Sequence, residues 1–204
     1  MKVYKSPISE EQLEVVISIL KDGGTVVYPT DTLYGLGVDP FRLGAVKRMF
    51  RIKKRPLNMP VSIAVLDISQ IEEYVILTDL ARHTTKEFLP GPLTILLKKK
   101  DPSALPLVSS RNRLGVRILD HPDAIPILEN FGPITSTSAN LHEDELPCDV
   151  ETAIEQLGDS VDVYIDGGRC RYGQESTVLD VSSDSPKIVR PGVISRERLR
   201  INEK

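Results

Sequence analysis

The sequence predicts an α/β fold: a mixed, twisted open sheet of about seven strands flanked by helices. Two observations carry this expectation. Amphipathic helical patterns and short apolar runs alternate through most of the chain. Near the end, strand-like runs follow one another at hairpin spacing, which argues against a fully parallel sheet.

The first helix has the fullest signature. Ser9 precedes Glu10, Glu11 and Gln12, with Leu13, Val16, Ile17 and Leu20 on one face and Gly23-Gly24 as the stop. A hydroxyl cap, an acidic first turn and a glycine terminator agree. The run Thr25-Val26-Val27-Tyr28 then reads as a buried strand. Leu43–Ile52 predicts a second helix with Val46, Met49 and Phe50 on one face. Strands are expected over 61–66, 93–97, 114–118 and 133–137, and helices over 68–74, 79–88, 123–130 and 149–157. Closing strands are expected over 162–165, 177–181 and 187–189, with a short final helix over 196–200. The Pro- and Glu-rich stretch 142–147 is the best candidate for a mobile loop, and residues beyond it to 148 could close over a site.

The 204 residues suit a single domain spanning 1–204. A formal net charge of −3 means that any nucleic-acid contact must come from a local basic patch. Cys148 and Cys170 form no CxxC pair and are expected as reduced thiols of a cytoplasmic protein. The N-terminus lacks the apolar core of a signal peptide, and no apolar run of about 18 residues exists, so no membrane is expected. There is no GxxxxGK[ST] loop and no GxGxxG after a strand. His83, His121 and His142 are scattered without ligand spacing, so no protein-held metal is expected.

Four polar clusters remain. Pro29-Thr30-Asp31-Thr32-Leu33-Tyr34-Gly35-Leu36-Gly37 places hydroxyls and glycines where the first buried strand ends. It reads either as a ligand-facing strand end or as a water-facing turn. The stretch from Lys47 to Arg55 puts six cations into nine residues. Lys47, Arg48 and Arg51 suit a solvated helix face, whereas Lys53 and Arg55 could point at one anion from an extended segment. Thr135-Ser136-Thr137-Ser138-Ala139-Asn140 is rich in side chains that bond backbone or ligand. Gly173-Gln174-Glu175-Ser176-Thr177-Val178 enters a strand, and Arg190-Pro191-Gly192 ends the next. Arg117 stands alone in an apolar strand, where an internal or a ligand carboxylate would serve it.

Taken together, PTDTLYGLG (29–37), KKRP (53–56), FLPGPLTILL (88–97), GVRI (115–118), STSAN (136–140), ESTV (175–178) and RPG (190–192) resemble the YrdC-type threonylcarbamoyl-AMP synthases in family order. The resemblance is to the compact form without an extra C-terminal domain. It implies a YrdC-like sheet around a large concave site. The implied activity forms L-threonylcarbamoyladenylate from L-threonine, bicarbonate and ATP, with Mg²⁺ accompanying ATP and release of pyrophosphate. A threonylcarbamoyl-transferase complex downstream would use the product to modify tRNA. By resemblance, Lys53 and Arg55 face the phosphates, and Thr32, Arg117 and Ser176 contact threonine. Ser138 and Asn140 lie between amino acid and nucleotide, and Arg190 contacts the nucleotide. Lys53, Arg55, Ser138 and Asn140 form the implied catalytic set. The chain departs from the family pattern at Met59, Ala64, Arg113 and Cys148, and in Leu141-His142-Glu143 after the Ser-x-Asn pair. Two other readings stand beside this one: a module binding tRNA or double-stranded RNA through the patch 47–55, and a carbamoyl-adenylating enzyme.

Overall fold

The computed structural model of the protein describes residues 1–110 and 112–201. Eleven strands are β1 (Lys2–Lys5), β2 (Val26–Tyr28), β3 (Gly35–Gly37), β4 (Ser62–Val65), β5 (Val75–Ile76), β6 (Leu93–Lys99), β7 (Arg113–Ile118), β8 (Ile134–Ser138), β9 (Val163–Asp166), β10 (Thr177–Asp180) and β11 (Lys187–Arg190). The α-helices are α1 (Glu10–Lys21), α2 (Leu43–Ile52), α3 (Asp79–Phe88), α4 (Ala124–Phe131) and α5 (Val150–Leu157). All strands join one mixed sheet in the order β1-β9-β2-β3-β8-β4-β7-β6-β10-β11, with β5 paired to β6.

The sequence expectation of a mixed sheet holds, but the strand count is larger than expected. The additions are short: β1, β3 and β5 span four, three and two residues. Strands that brief carry too little alternation to be read from a sequence. Within 68–74 only Ile68–Ile71 is helical, as a 3₁₀ turn capped by the Asp67 side chain. The short helix expected over 196–200 is a set of turns instead. Arg200 there has a φ of 53°, which ends helical winding. The 142–147 loop is tied at several points: Tyr34 N donates to Pro147 O at 2.9 Å, Asn140 Nδ2 to Asp144 O at 2.9 Å, and Gln156 Nε2 to Glu145 O at 2.9 Å.

Side-chain alternation explains which face is covered. Ile63, Val116, Ile95 and Leu179 are cross-strand neighbours in register, forming one row across β4, β7, β6 and β10. All four are buried in the larger core, with Phe50 of α2, Ala81 of α3 and Val150 of α5. Burial of each of the larger side chains among these contributes about 1.5–3 kcal/mol. The opposite face is covered only in part. There, α1 and α4 bring Val16, Leu20, Ile127 and Leu128 over Tyr28, Ile134 and Ile165 in a second core. Ser62, Thr94, Arg117 and Val178 point to the same side of the sheet beyond those helices, and line a cavity.

Asp162 fastens the helix-covered half. Its carboxylate accepts from Thr25 N at 2.8 Å, Thr25 Oγ1 at 3.0 Å and Arg48 Nη1 at 2.8 Å, joining the starts of β2 and β9 to α2. Burial pushes its carboxyl up, but the Arg48 and Thr25 hydrogen bonds outweigh this and hold it below the ordinary value. Its charged form is therefore favoured by folding, and that stability is lost as pH falls through the lowered value. Asp162→Asn is expected to cost about 1–2 kcal/mol at pH 7. In urea unfolding, the difference from wild type is expected to shrink as pH falls below 4, the ordinary carboxylate range.

Candidate active site

The open face encloses a cavity of about 380 Å³, within the range of small-molecule sites. Its walls come from the 30–35 segment and from β4, β6, β7, β8, β10 and β11.

The 30–35 segment is not a water-facing turn. Thr30, Asp31 and Thr32 are all buried. Thr30 Oγ1 donates to Leu33 O at 2.6 Å and accepts from the backbone N–H groups of Thr32 and Leu33, which closes the turn internally. Gly35 and Gly37 serve close packing inside the protein. A Cβ on Gly35 would stand 2.7 Å from Tyr28 Cζ, and one on Gly37 would stand 3.0 Å from Tyr28 Cε1. The Tyr28 ring lies across β3, and burial pushes its hydroxyl up to about 12.

Arg117 finds its carboxylate inside the protein. Its Nη2 donates to Asp31 Oδ1 at 2.5 Å, its Nη1 to Thr32 Oγ1 at 2.6 Å and its Nε to Gly91 O at 3.2 Å. Of the alternatives left open by the sequence, the internal partner is present. Burial lowers the guanidinium from its ordinary value, with Asp31 opposing. Burial likewise raises the Asp31 carboxyl, with Arg117 opposing, and Asp31 Oδ2 has no partner among the described residues. Three N–H groups of Arg117 are engaged in these bonds; a guanidinium carries about five, so others remain for a ligand.

Lys53 and Arg55 do not leave α2 in an extended segment. Lys53 N bonds Met49 O, Lys54 N bonds Arg51 O and Arg55 N bonds Phe50 O, while Lys54 has a φ of 50°. This is a helix C-terminus closed through a left-handed residue, and it sends the two side chains to different places. Arg55 lines the cavity and donates to Met59 O at 3.0 Å and Pro60 O at 3.3 Å. Lys53 is buried behind the wall. Its Nζ donates to Ser138 O, to Asn140 O at 2.6 Å and to Asn140 Oδ1 at 3.2 Å. Burial, with Arg55 adding to it, lowers its ammonium to about 7.

Ser138 Oγ donates to Asn140 Oδ1 at 2.6 Å, so Lys53, Ser138 and Asn140 form one hydrogen-bonded unit. Ser138 lines the cavity; Asn140 is buried beside Lys53. On the far wall, Arg190 pairs with Glu175, and its Nη2 donates to Ser176 O at 2.8 Å. Gly192 makes this approach possible, because a Cβ there would stand 2.4 Å from Glu175 O. Ser176 Oγ lies 2.8 Å from Thr94 Oγ1.

The structure thus gathers Thr32, Arg55, Arg117, Ser138, Ser176 and Arg190 around one cavity, with Lys53 and Asn140 one layer behind. Met59 and Arg113 are exposed, Arg113 pairing with Asp180; Ala64 is buried in the second core, and Cys148 is half-buried. Sequence reasoning did not single out Asp31, Thr94 and Glu175. Thr94 had a signal, since it is the one hydroxyl in the apolar strand Leu93-Thr94-Ile95-Leu96-Leu97. Asp31 and Glu175 had none, because each gains meaning only from an arginine far away in the chain.

A family model for the Sua5/YciO/YrdC domain, described as telomere recombination, matches residues 18–192. The chain belongs to the Sua5/YciO/YrdC family. A Methanocaldococcus jannaschii relative carrying the provisional name threonylcarbamoyl-AMP synthase is 37% identical, over 98% of this chain and 95% of that protein. The threonylcarbamoyl-AMP synthase of Bacillus subtilis is 33% identical over 94% of this chain, which spans 56% of the relative. The crystal structure of P. abyssi Sua5 complexed with L-threonine superposes with a TM-score of 0.90 at 31% identity, over 98% of this chain and 59% of that one. The mixed sheet and its open face are therefore those of a YrdC-like fold.

Arg117→Ala would leave the Asp31 carboxylate buried and unanswered, and is expected to destabilise the protein by about 3–5 kcal/mol. Adding Asp31→Asn should recover about half of that loss in thermal unfolding. For Lys53, the lowered value means that the folded state holds fewer protons than the unfolded state between pH 7 and 10.5. Its contribution to stability therefore rises with pH across that window. Urea unfolding of wild type and Lys53→Met should diverge in favour of wild type from about pH 7 to 10.

Proposed function

We propose that this protein is an L-threonylcarbamoyladenylate synthase, a nucleotidyltransferase acting on L-threonine, bicarbonate and ATP. One observation carries the reading: a single cavity joins three guanidinium groups, those of Arg55, Arg117 and Arg190, to a wall of hydroxyls. Cations suit a triphosphate, and neutral donors and acceptors suit a small hydroxy amino acid.

In this reading bicarbonate takes up a proton and loses water to yield carbon dioxide, and the threonine nitrogen bonds that carbon and gives up a proton to form a carbamate. A carbamate oxygen then bonds the α-phosphorus of ATP, and the bond from that phosphorus to the bridging oxygen breaks as pyrophosphate leaves. Positioning and charge stabilisation supply the catalysis. Arg55 faces the phosphates. Among the described residues its side chain makes no ion pair with a carboxylate, so its charge is free for a ligand. Arg117 offers its remaining N–H groups to the threonine carboxylate, with Thr32 and Ser176 beside it. Ser138, braced by Asn140 and Lys53, lies between amino acid and nucleotide, and Arg190 contacts the nucleotide.

Mg²⁺ enters as part of the substrate, Mg-ATP, and neutralises phosphate charge. The donor set fits this assignment: among the described lining residues the one carboxylate is Glu175, and no group of three or more potential ligands could cage a metal. The product is a mixed anhydride, an activated carbonyl for a transferase complex that modifies tRNA.

The basic patch supports direct contact with tRNA or duplex RNA as an addition to this reading. Lys47, Arg51 and Lys54 line a groove that shares Arg55 with the cavity. Such contact would weaken steeply with salt. No helix among the described residues is long and apolar enough to cross a membrane.

Pyrophosphate release is expected to require threonine, bicarbonate and ATP together, each omitted in turn from the assay. Release without threonine points to a carbamoyl-adenylating enzyme instead. Arg55→Ala is expected to lower kcat/KM by about 10²–10³ while thermal unfolding stays near wild type. Near-normal release by that folded variant removes Arg55 from the phosphate site.

A further inference from the structure

The three cavity arginines differ in how their charge is met. Arg117 is matched by Asp31, whose side chain is 3% exposed and locked in place. Among the described residues Arg55 bonds only carbonyl oxygens, with the Glu175 charge reaching it across the cavity without an ion-pair contact. Arg190 meets Glu175, whose side chain is 37% exposed. Glu175 is the only acidic residue among the described lining residues. Arg190 is held from behind by Ser176 O at 2.8 Å, and its Nε is buried without a partner among the described residues.

We infer that Glu175 is a resident counter-ion that occupies Arg190 until a polyphosphate displaces it. This rests on the reading of the cavity as a polyphosphate site and goes beyond it by assigning a gate. Without Glu175, two guanidinium groups in one hollow, those of Arg55 and Arg190, would face no carboxylate and would collect any small anion. A carboxylate tethered beside one of them competes intramolecularly, at high effective concentration. A singly phosphorylated ligand can engage Arg55 without disturbing the pair. A ligand long enough to reach both Arg55 and Arg190 gains the second guanidinium only by turning Glu175 out toward water, which its exposure permits. The ion pair is exchanged and no covalent bond changes. Arg190 stays aimed throughout, because Gly192 lets its strand end lie against the backbone of Glu175 and Ser176. Selectivity for extended polyphosphates thus arises from a repulsive element as well as from attractive ones.

The test titrates inorganic pyrophosphate calorimetrically into wild type, Glu175→Gln, Arg190→Ala and the double variant. Glutamine keeps the length and the carbonyl acceptor while removing the charge. Glu175→Gln is expected to bind pyrophosphate about tenfold more tightly, and in the Arg190→Ala background the gain should be several-fold smaller, because there Glu175 acts only through its charge across the cavity and not by occupying a guanidinium. Unchanged or weaker binding by Glu175→Gln overturns the inference, as does an equal gain in both backgrounds. Thermal unfolding checks each fold, and Glu175→Ala carries the same expectation if the glutamine variant does not fold. Coupling between Glu175 and Arg190 in a protein whose pyrophosphate release ignores threonine keeps this inference and sinks the synthase reading. Pyrophosphate that binds none of these proteins sinks both.

Discussion

The buried pair of Arg117 and Asp31 is the constraint on which the cavity depends. One guanidinium gathers three stretches of chain: β7, the segment after β2 through Asp31 and Thr32, and the backbone at Gly91 before β6. Two charges removed from water each cost several kcal/mol, and only close geometry with further hydrogen bonds offsets this. A hydrophobic substitute could hold the same segments together with less penalty. What it could not do is place an oriented cation and a threonine hydroxyl side by side at the floor of an open hollow. The pair therefore specifies arrangement more than it adds stability.

Charge in this protein is local. The chain carries a net −3, yet among the described residues its cavity wall holds three arginines against one acid. The sheet makes that separation possible. On one face the row through Ile63, Val116, Ile95 and Leu179 is dry and closed. The other face, one residue out of phase, carries Ser62, Thr94, Arg117 and Val178. A period of two residues converts an ordinary strand pattern into a core on one side and a polar cavity wall on the other.

Much of this could be read before any coordinates. α1, with its Ser9 and Gln12 capping box, and α2 over Leu43–Ile52 follow directly from local signals, because caps and periodicity act within a few residues. The site was legible as a set of unusual clusters and, through resemblance, as one site. What sequence could not supply was depth and pairing. Lys53 and Arg55 are two residues apart, yet Lys54 turns the chain through a left-handed conformation and leaves one in the wall and the other behind it. Asp31 and Glu175 look like ordinary loop acids until arginines 86 and 15 residues away are brought to them. Such contacts are properties of the assembled sheet, and no local pattern encodes them.

The strand that carries Arg190 is the last in the sheet, bonded to β10 alone among the described residues. Its Val189 is 54% exposed. The other strands that line the cavity are each paired on both sides. The Arg190 end of β11 is tied back by Val193 N to Glu175 O and Ile194 N to Thr177 Oγ1, but away from that end the strand can part from its single neighbour at lower free energy than an inner strand. The hollow thus has a stiff floor and one compliant bank, so its width is set at the edge of the sheet while its deepest contacts stay still.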